Sequence, residues 1–417
     1  MVSKGLMTLV SLEIGHGIEL QKHVIPAKTG SAFWRYLSWD SDMADHKNQH
    51  FVPRVLLRPF TKNAEDKSIN LYNIRTDRLI PDASVKGQCA RHYWYGEDGQ
   101  LEALLGRLEG MYGLARDRVM ARGNSDSDRK EISLFMCLQH WRTAKAASRF
   151  RHSIEQMNAN TWAPEKEPVP DDKKLVMSSM RFGMKSRDML KDLKIRFVEN
   201  RTNRDFIIAD DPAVMLNRFA FEKLGGSGFG VASSGLIFVM PMSPRLSVIC
   251  YDGLVYSLDV TNGRVVLKSE AAVDAYNDIQ CIAAEENLYF QQWEDGEYVR
   301  QRFAAVKRKR RPASTAVTFI PDGETDDAEH YRPGTVEEGR AAKRSLVAVR
   351  FNHPEPDRWI PGLRYRSNPT TFFNGTGVGH VRKLEWLYRG RDDPPPDPGE
   401  KMQIISTKPR PSAWRKR

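Results

Sequence analysis

The stretch "LFMCLQHWRT" (residues 134–143) places polar side chains inside an apolar helical pattern. Apolar residues recur at helical spacing around it, which predicts one helix from about residue 131 to residue 157. Because apolar residues lie on both sides of this helix, we expect it to be buried over most of its circumference. Gln139, Arg142 and Thr143 then need polar partners, since a buried polar group without one costs about 1–3 kcal/mol.

Two further stretches are expected to pack near this helix. "LEALLGRLEGMYGLARDRVM" (101–120) predicts an amphipathic helix with Glu109 at the border of its apolar stripe. "DFIIADDPAVML" (205–216) predicts a buried strand that ends at Asp210 and Asp211, where Pro212 stops regular pairing. Long helices alternate irregularly with short strands, without a βαβ rhythm. The predicted fold class is therefore α+β, with a single mixed helical and short-stranded body.

"HKNQHFVPRVLLRPF" (46–60) lies where this body is predicted to begin. Pro53 biases the residue before it toward extended backbone, and Leu57 and Phe60 would anchor the next turn in the core. His50 is thereby held just before a rigid entry into the body. The imidazole at that position is either a hydrogen-bonded core group or a site residue, and the sequence does not choose between them.

Net charge is unevenly distributed along the chain. The formal net charge is +11, and residues 301–417 contain 24 Lys and Arg against 14 Asp and Glu, a net of +10, so the remainder carries +1. Such a segment predicts salt-sensitive, sequence-independent attraction to nucleic-acid phosphates. Within it, "KRKRR" (307–311) is either a localisation or phosphate-binding patch or a solvated run of charge.

The predicted compartment is the cytoplasm. The four cysteines, Cys89, Cys137, Cys250 and Cys281, lie far apart without a CxxC pair, which argues against a zinc ribbon and a disulfide framework. We expect buried, reduced thiols. No apolar run approaches the roughly 20 residues of a membrane span, and the first 20 residues lack the features of a secretory signal.

Three parts of the chain are predicted. Residues 1–42 would be an N-terminal extension, with Met43 as a candidate start, and residues 43–300 would form the body, including a helix at about 271–291. Residues 301–417 would be a basic linker and a partly disordered C-terminal extension, with a short β unit inside it. The oligomeric state is not predicted.

Several segments together resemble the bacterial domain-of-unknown-function 4238 family over about residues 50–290. The segments are "QHFVPRVLLRPFT", "LYNI", "LEALLGRLEG", "LFMCLQHWRT", "FIIADDPAV" and "FVMPMSP". The family positions carried over are His50, Pro53, Leu57, Phe60, Glu109, Gln139, Arg142, Thr143, Asp210, Pro212 and Pro241. The chain departs from the family pattern at Arg54, Pro59, Ala209 and Asp211. The resemblance implies this organisation and supplies no activity.

A histidine together with carboxylates can perform acid–base catalysis or bind a divalent metal. The predicted catalytic residues are His50, Glu109, Arg142 and Asp210. Glu109, Asp210 and Asp211 are the predicted ligands of Mg²⁺ or Mn²⁺, and Gln139 and Thr143 are predicted structural polar groups. The same side chains could instead be purely structural, with Arg142 paired to Glu109 or Asp210 and the aspartates capping a turn.

Two functions follow from these patterns. The first is a metal-assisted phosphodiesterase or nuclease, with His50 as general base or phosphate contact and Arg142 neutralising phosphate charge. The alternative is a non-enzymatic module that binds nucleic acid or an acidic protein through the basic C-terminal part of the chain. A toxin or phage-defence role is compatible with either, so the sequence leaves open whether the protein is an enzyme.

Overall fold

A computed structural model describes residues 18–19, 48–96, 99–123, 125–161, 168–226, 228–325, 328–341, 345–373, 379–387 and 402–404. The α-helices in this part of the chain are α1 (Arg54–Leu57), α2 (Gln100–Met120), α3 (Asp126–Arg142), α4 (Ala144–Asn160), α5 (Asp172–Ser186), α6 (Glu270–Ala283), α7 (Gly296–Val306) and α8 (Val336–Ala341). The strands are β1 (Ile18–Glu19), β2 (Asn48–His50), β3 (Ser68–Asn73), β4 (Arg78–Ser84), β5 (Ala90–His92), β6 (Lys194–Asn200), β7 (Ile208–Ala209), β8 (Val214–Leu216), β9 (Ile237–Ser243), β10 (Leu246–Tyr251), β11 (Tyr256–Leu258), β12 (Arg264–Leu267), β13 (Asn287–Phe290), β14 (Ser314–Thr325), β15 (Ala328–Gly334), β16 (Leu346–Phe351), β17 (Leu363–Tyr365), β18 (Thr370–Phe372) and β19 (Met402–Ile404).

The strands form several small sheets. A five-stranded sheet has the order β12-β6-β10-β9-β8, in which only β12 and β6 are parallel. Two four-stranded sheets have the orders β4-β3-β13-β7 and β1-β15-β14-β16. The pairs β2–β5, β11–β17 and β18–β19 complete the described pairing. Helices and mainly antiparallel strands are mixed without a βαβ rhythm, which confirms the α+β prediction.

Helix α3 lies at the centre of the helical layer and contacts α2, α4 and α5. It begins with a capping box formed by Ser125 and Asp128, and every residue from 135 to 142 is buried. The ring of Phe135 stacks on Tyr112 of α2 at a centroid distance of 3.8 Å. Burial over most of the circumference of this helix is therefore confirmed.

The single helix predicted at 131–157 is two helices. Thr143 has extended backbone (φ −76°, ψ 164°) and separates α3 from α4. Its hydroxyl accepts a hydrogen bond from the Ala146 N–H and so caps α4. A threonine side chain that satisfies a free backbone N–H favours a helix start over a helix interior, which the apolar periodicity did not reveal.

The helix predicted at 271–291 ends earlier than expected. Helix α6 stops at Ala283, and residues 287–290 form β13, which lies between β3 and β7. Leu288, Tyr289 and Phe290 are all fully buried there. The part of the prediction beyond residue 283 was wrong because an aromatic-rich stretch fits a strand that is covered on both sides.

The chain after residue 300 packs on the body in its described part. Helix α7 crosses residue 300, and β14 and β16 contact α4. The Ser314 hydroxyl lies 2.7 Å from Nδ1 of His152 in α4. The segments expected to be linker, 306–314 and 322–343, instead contribute in their described part to β14, β15 and α8. The short β unit expected after residue 344 is not one unit, because β16 pairs with β14, β17 with β11 and β18 with β19. The three-part division of the chain stays a prediction.

Other predictions concern the ends of the chain and the cysteines. Apart from β1 and β19, the predicted N-terminal extension (1–42) and the predicted disordered end (391–417) lie outside the described residues. All four cysteines are buried free thiols, as predicted. None of the described helices has the length and apolar composition needed to cross a membrane. The cytoplasmic location stays a prediction.

His353 is one side chain through which the C-terminal part contacts the body. It follows β16, is 6% exposed and stacks on the Phe229 ring at a centroid distance of 3.9 Å. Its Nε2 lies 3.0 Å from the Phe229 carbonyl oxygen. Burial, together with nearby His140 and Arg149, lowers the pKa of His353 to about 3. The folded protein therefore holds this imidazole neutral.

We predict acid destabilisation through His353. The pKa of His353 is lower in the folded state (about 3) than its usual 6.5, so stability is lost as pH falls below 6.5. The slope from one such group is about 1.4 kcal/mol per pH unit. The His353→Gln variant keeps a side-chain N–H but cannot titrate. Its free energy of unfolding, measured in urea, should therefore decrease less steeply than that of wild type as the pH is lowered. His92→Gln, at an exposed site, is the control, and equal slopes for wild type and His353→Gln would contradict this assignment.

Candidate functional site

The Arg142 guanidinium is the centre of a buried polar cluster. Arg142 is 1% exposed and its Nη2 donates to the Glu109 carboxylate at 2.8 Å and to the His50 carbonyl at 2.7 Å. Its Nε donates to the Tyr95 hydroxyl at 3.0 Å. We call Arg142, Glu109, Tyr95 and the His50 carbonyl the Arg142 cluster. It joins the C-terminal end of α3 to α2, to β2 and to the segment after β5.

Gln139 extends this arrangement by one helical turn. Its Nε2 donates to the Phe51 carbonyl at 2.9 Å. Residues three apart on a helix lie side by side, so Gln139 and Arg142 bind two successive carbonyls, of the last residue of β2 and of the residue after it. Gln49 fixes the same segment from the other direction, because it accepts from the Tyr95 N–H at 2.6 Å. The polar side chains of α3 thus hold the entry to α1.

Charge in the cluster follows from these contacts. Burial lowers the pKa of Arg142, but the interactions with Tyr95 and Glu109 raise it by a larger amount. Its pKa therefore lies above the usual value, and the guanidinium is charged. Burial lowers the pKa of His50, and the positive Arg54 and Arg142 lower it as well. The imidazole is therefore neutral at pH 7. The ring bonds to the backbone of Val85 and its Nε2 is buried without a partner, so Arg142 contacts His50 through the backbone carbonyl.

Asp210 binds a different part of the chain. It follows β7, is 5% exposed, and its carboxylate accepts from the N–H groups of Glu285 and Glu286 at 2.7 Å and of Asn287 at 3.1 Å. Burial raises the pKa of Asp210 to about 6, while these N–H donors and Lys145 act in the opposite direction. The carboxylate holds the turn between α6 and β13 through its main-chain donors.

Asp211 forms a third group. Its carboxylate accepts from the Thr143 hydroxyl at 2.7 Å and from Nη1 of Arg149 at 2.9 Å. Arg149 also donates to the His140 carbonyl at 2.7 Å. Thr143 caps α4, so Asp211 fixes the start of that helix against the end of β7. Both side chains of this ion pair are buried, with Arg149 8% and Asp211 3% exposed.

The predicted site residues therefore lie in three groups. His50, Glu109, Gln139 and Arg142 meet, and Arg142 pairs with Glu109 as one sequence alternative proposed. Asp210 binds the turn before β13, and Asp211 binds Thr143 and Arg149. Among the described residues, no group of three or more His, Cys, Asp or Glu side chains is placed to hold a metal ion. The catalytic and metal assignments of these residues stay predictions.

Several residues of these groups were not foreseen from the sequence. Tyr95 lies in "HYWYG" (92–96), where no periodicity marks it as a partner of a buried arginine. Lys145 donates from Nζ to the Ala283 carbonyl at 2.6 Å, and burial lowers its pKa. Arg149 could have been found, because it lies among small and apolar residues in α4 and must have a counter-charge if buried.

A small cavity lies where the motif segments meet. It has a volume of about 150 Å³ and is lined by Phe51, Gly87, Gln88, Cys89, Ala90, Arg91, Ala144, Asp210, Glu285, Glu286 and Asn287. Cys89 is its one thiol, and its Sγ lies 3.2 Å from the Tyr289 hydroxyl. Burial raises the pKa of Cys89 well above the usual value, so it is a thiol and not a thiolate nucleophile at neutral pH.

We predict that Arg142 contributes mainly to stability. Arg142→Met removes the donor to the Glu109 carboxylate and to the Tyr95 hydroxyl and one of the two donors to the His50 carbonyl, and should lower the free energy of unfolding by about 3–5 kcal/mol. Arg54→Met is the matched control, since its ion pair with Asp66 involves a side chain that is 49% exposed and should cost less than about 1 kcal/mol. Urea unfolding of both variants tests this. Similar losses for the two variants would contradict the central role of Arg142.

Comparison with known proteins identifies the family. A family model described as "Protein of unknown function (DUF4238)" matches residues 48–293, which is more than half of the 417 residues. No curated protein and no solved structure matched the chain. The matched range starts at β2 and ends just after β13, so it contains all three polar groups. The chain belongs to the DUF4238 family of proteins of unknown function.

Proposed function

We propose that this protein is a non-enzymatic module that binds nucleic acid through the C-terminal basic segment, residues 405–417, with the folded body as its support. That segment contains five basic residues and no acidic residue. The basic residues are Lys408, Arg410, Arg415, Lys416 and Arg417. Phosphates attract such a segment in a manner that depends on salt and not on base sequence. Trp414 adds an aromatic ring that can stack on an unpaired base.

The pairing of the basic run 307–311 within the chain is the observation that supports this assignment. In the run 307–311, Lys309 lies 2.6 Å and Arg308 3.4 Å from Asp357. Arg311 pairs with Glu355, and Arg310 donates to the Ala284 carbonyl. Two carboxylates thus pair with three of the five cations, and a fourth cation bonds to a carbonyl, which makes this run a weaker phosphate site than its charge alone indicates. We therefore assign nucleic-acid contact to residues 405–417 and not to "KRKRR".

The buried polar groups of the body favour a structural role over a catalytic one. The Glu109 carboxylate is 24% exposed and pairs with Arg142, which is 1% exposed. Asp210 and Asp211 accept from main-chain N–H groups, Thr143 and Arg149. Phosphate or a metal ion would have to displace these partners first. Such buried networks are costly to open, so they support a scaffold role for the body.

We predict that nucleic-acid binding depends on the C-terminal basic segment. Five phosphate contacts at about 0.9 counterions each give a slope of log K against log salt of about −4.5. Replacing the five basic residues by Gln should abolish that slope and most of the binding to a labelled duplex or single strand in fluorescence anisotropy. Removing the whole of 301–417 is unsuitable, because its described part packs on α4.

The control uses the paired run. Lys307→Ala together with Arg308→Ala removes two cations near Asp357 and should change binding only slightly. Binding of wild-type strength after neutralisation of residues 405–417 would refute the proposal and move the contact surface into the body. Loss of binding in the control variant alone would also refute the proposal.

Metal-assisted cleavage of nucleic acid, with Mg²⁺ or Mn²⁺, stays a prediction. In its favour, Asp210, Glu285 and Glu286 all line the small cavity. Incubation of the purified protein with DNA and RNA in each metal tests it, with Asp210→Asn as the inactive control. Cleavage by wild type but not by this variant would replace the binding proposal. A toxin or phage-defence role is compatible with both functions.

A further inference from the structure

The outer face of α2 carries apolar side chains that the described chain leaves exposed. Leu114 is 63% exposed and Met111 is 44% exposed. Gly106 and Gly110 lie on the same face, and a Cβ at either would meet no atom within 4 Å. In contrast, a Cβ at Gly113 would meet Val55 at 3.0 Å. Packing within one chain explains Gly113, but neither of the two outer glycines, which are poor helix formers.

The outer face has a regular seam. Its positions follow the alternating spacing of four and three residues that keeps one side of a helix against a partner helix. The seam positions are Ala103, Arg107, Gly110, Leu114, Asp117 and Ala121. An antiparallel copy related by a two-fold axis near position 112 pairs 103 with 121, 107 with 117, and 110 with 114. Small residues then face small residues, Arg faces Asp and Leu faces Gly.

We propose that two copies of this chain associate through α2 in an antiparallel pair. Leu114 of each copy fills the space above the partner's Gly110, and Arg107 binds the partner's Asp117. Both hydrogen bonds from Arg116 to Asp117 use Oδ1 of the carboxylate, so a second guanidinium can bind at Oδ2. The charge pattern and the knob-and-hole pattern select the same antiparallel register independently. This inference does not rest on nucleic-acid binding.

The size of the surface sets the expected affinity. Glycine and alanine at the contact allow two helix axes to approach to about 8 Å, where side chains interdigitate. One pair of helices of the length of α2 buries less than the roughly 1,600 Å² of a standard interface. We therefore expect a reversible dimer with a dissociation constant in the micromolar range.

Sedimentation velocity of the full chain over a wide concentration range tests the dimer. Wild type should shift from monomer to dimer, and Leu114→Glu should be monomeric throughout. Leu254→Glu is the matched control, because Leu254 is 43% exposed but lies in the turn after β10, and this variant should dimerise like wild type. Wild type that is monomeric at every concentration, or dimers that persist in Leu114→Glu, would overturn the proposal.

A charge exchange tests the register. Arg107→Asp and Asp117→Arg should each weaken dimerisation at least about tenfold, because like charges then face each other. The double variant restores opposite charges in the antiparallel pair and should recover dimerisation, with folding of each variant checked by circular dichroism. A parallel pair would place Arg107 against the partner's Arg107 and would not be rescued in this way. Failure of the double variant to recover would reject the antiparallel register.

Discussion

The body of this protein is arranged around a charged guanidinium that is almost completely buried. A buried charge is tolerated only when hydrogen-bonding partners replace its water, since an uncompensated one costs several kcal/mol. Arg142 obtains such partners for Nε and Nη2 from α2, from the backbone of β2 and from Tyr95, while its Nη1 is buried without a partner. Three segments far apart in sequence must therefore be placed correctly at once. The entry to the body, the long helix α2 and the buried helix α3 depend on this single requirement.

The two strand-end aspartates follow the same principle with different partners. Asp210 receives three main-chain N–H groups of the turn before β13, and Asp211 receives Thr143 and Arg149 of α4. Each carboxylate connects β7 to an element that local sequence does not place beside it. The His, Glu, Arg and Asp side chains that together resemble a catalytic set therefore belong to three separate polar groups. In this chain, these polar residues are partners in contacts that hold the fold together.

Sequence periodicity correctly predicted the features that are set within a single helix. It identified α2, the burial of α3 and the need of Gln139, Arg142 and Thr143 for partners. It did not identify the partners, because Arg142 and its acceptor at residue 50 are 92 positions apart. The break at Thr143 and the strand β13 were missed for a related reason. A side-chain cap and the cover of a strand come from individual atoms and from tertiary packing, neither of which alters the apolar period.

A double-mutant cycle between Arg142 and Glu109 tests the central claim most directly. The free energy of unfolding is measured for wild type, Arg142→Met, Glu109→Gln and the double variant. Because both side chains belong to one buried network, we predict a coupling energy of about 1.5–3 kcal/mol. Additive losses, with a coupling energy below about 0.5 kcal/mol, would contradict the account and show that the two side chains act independently in the fold.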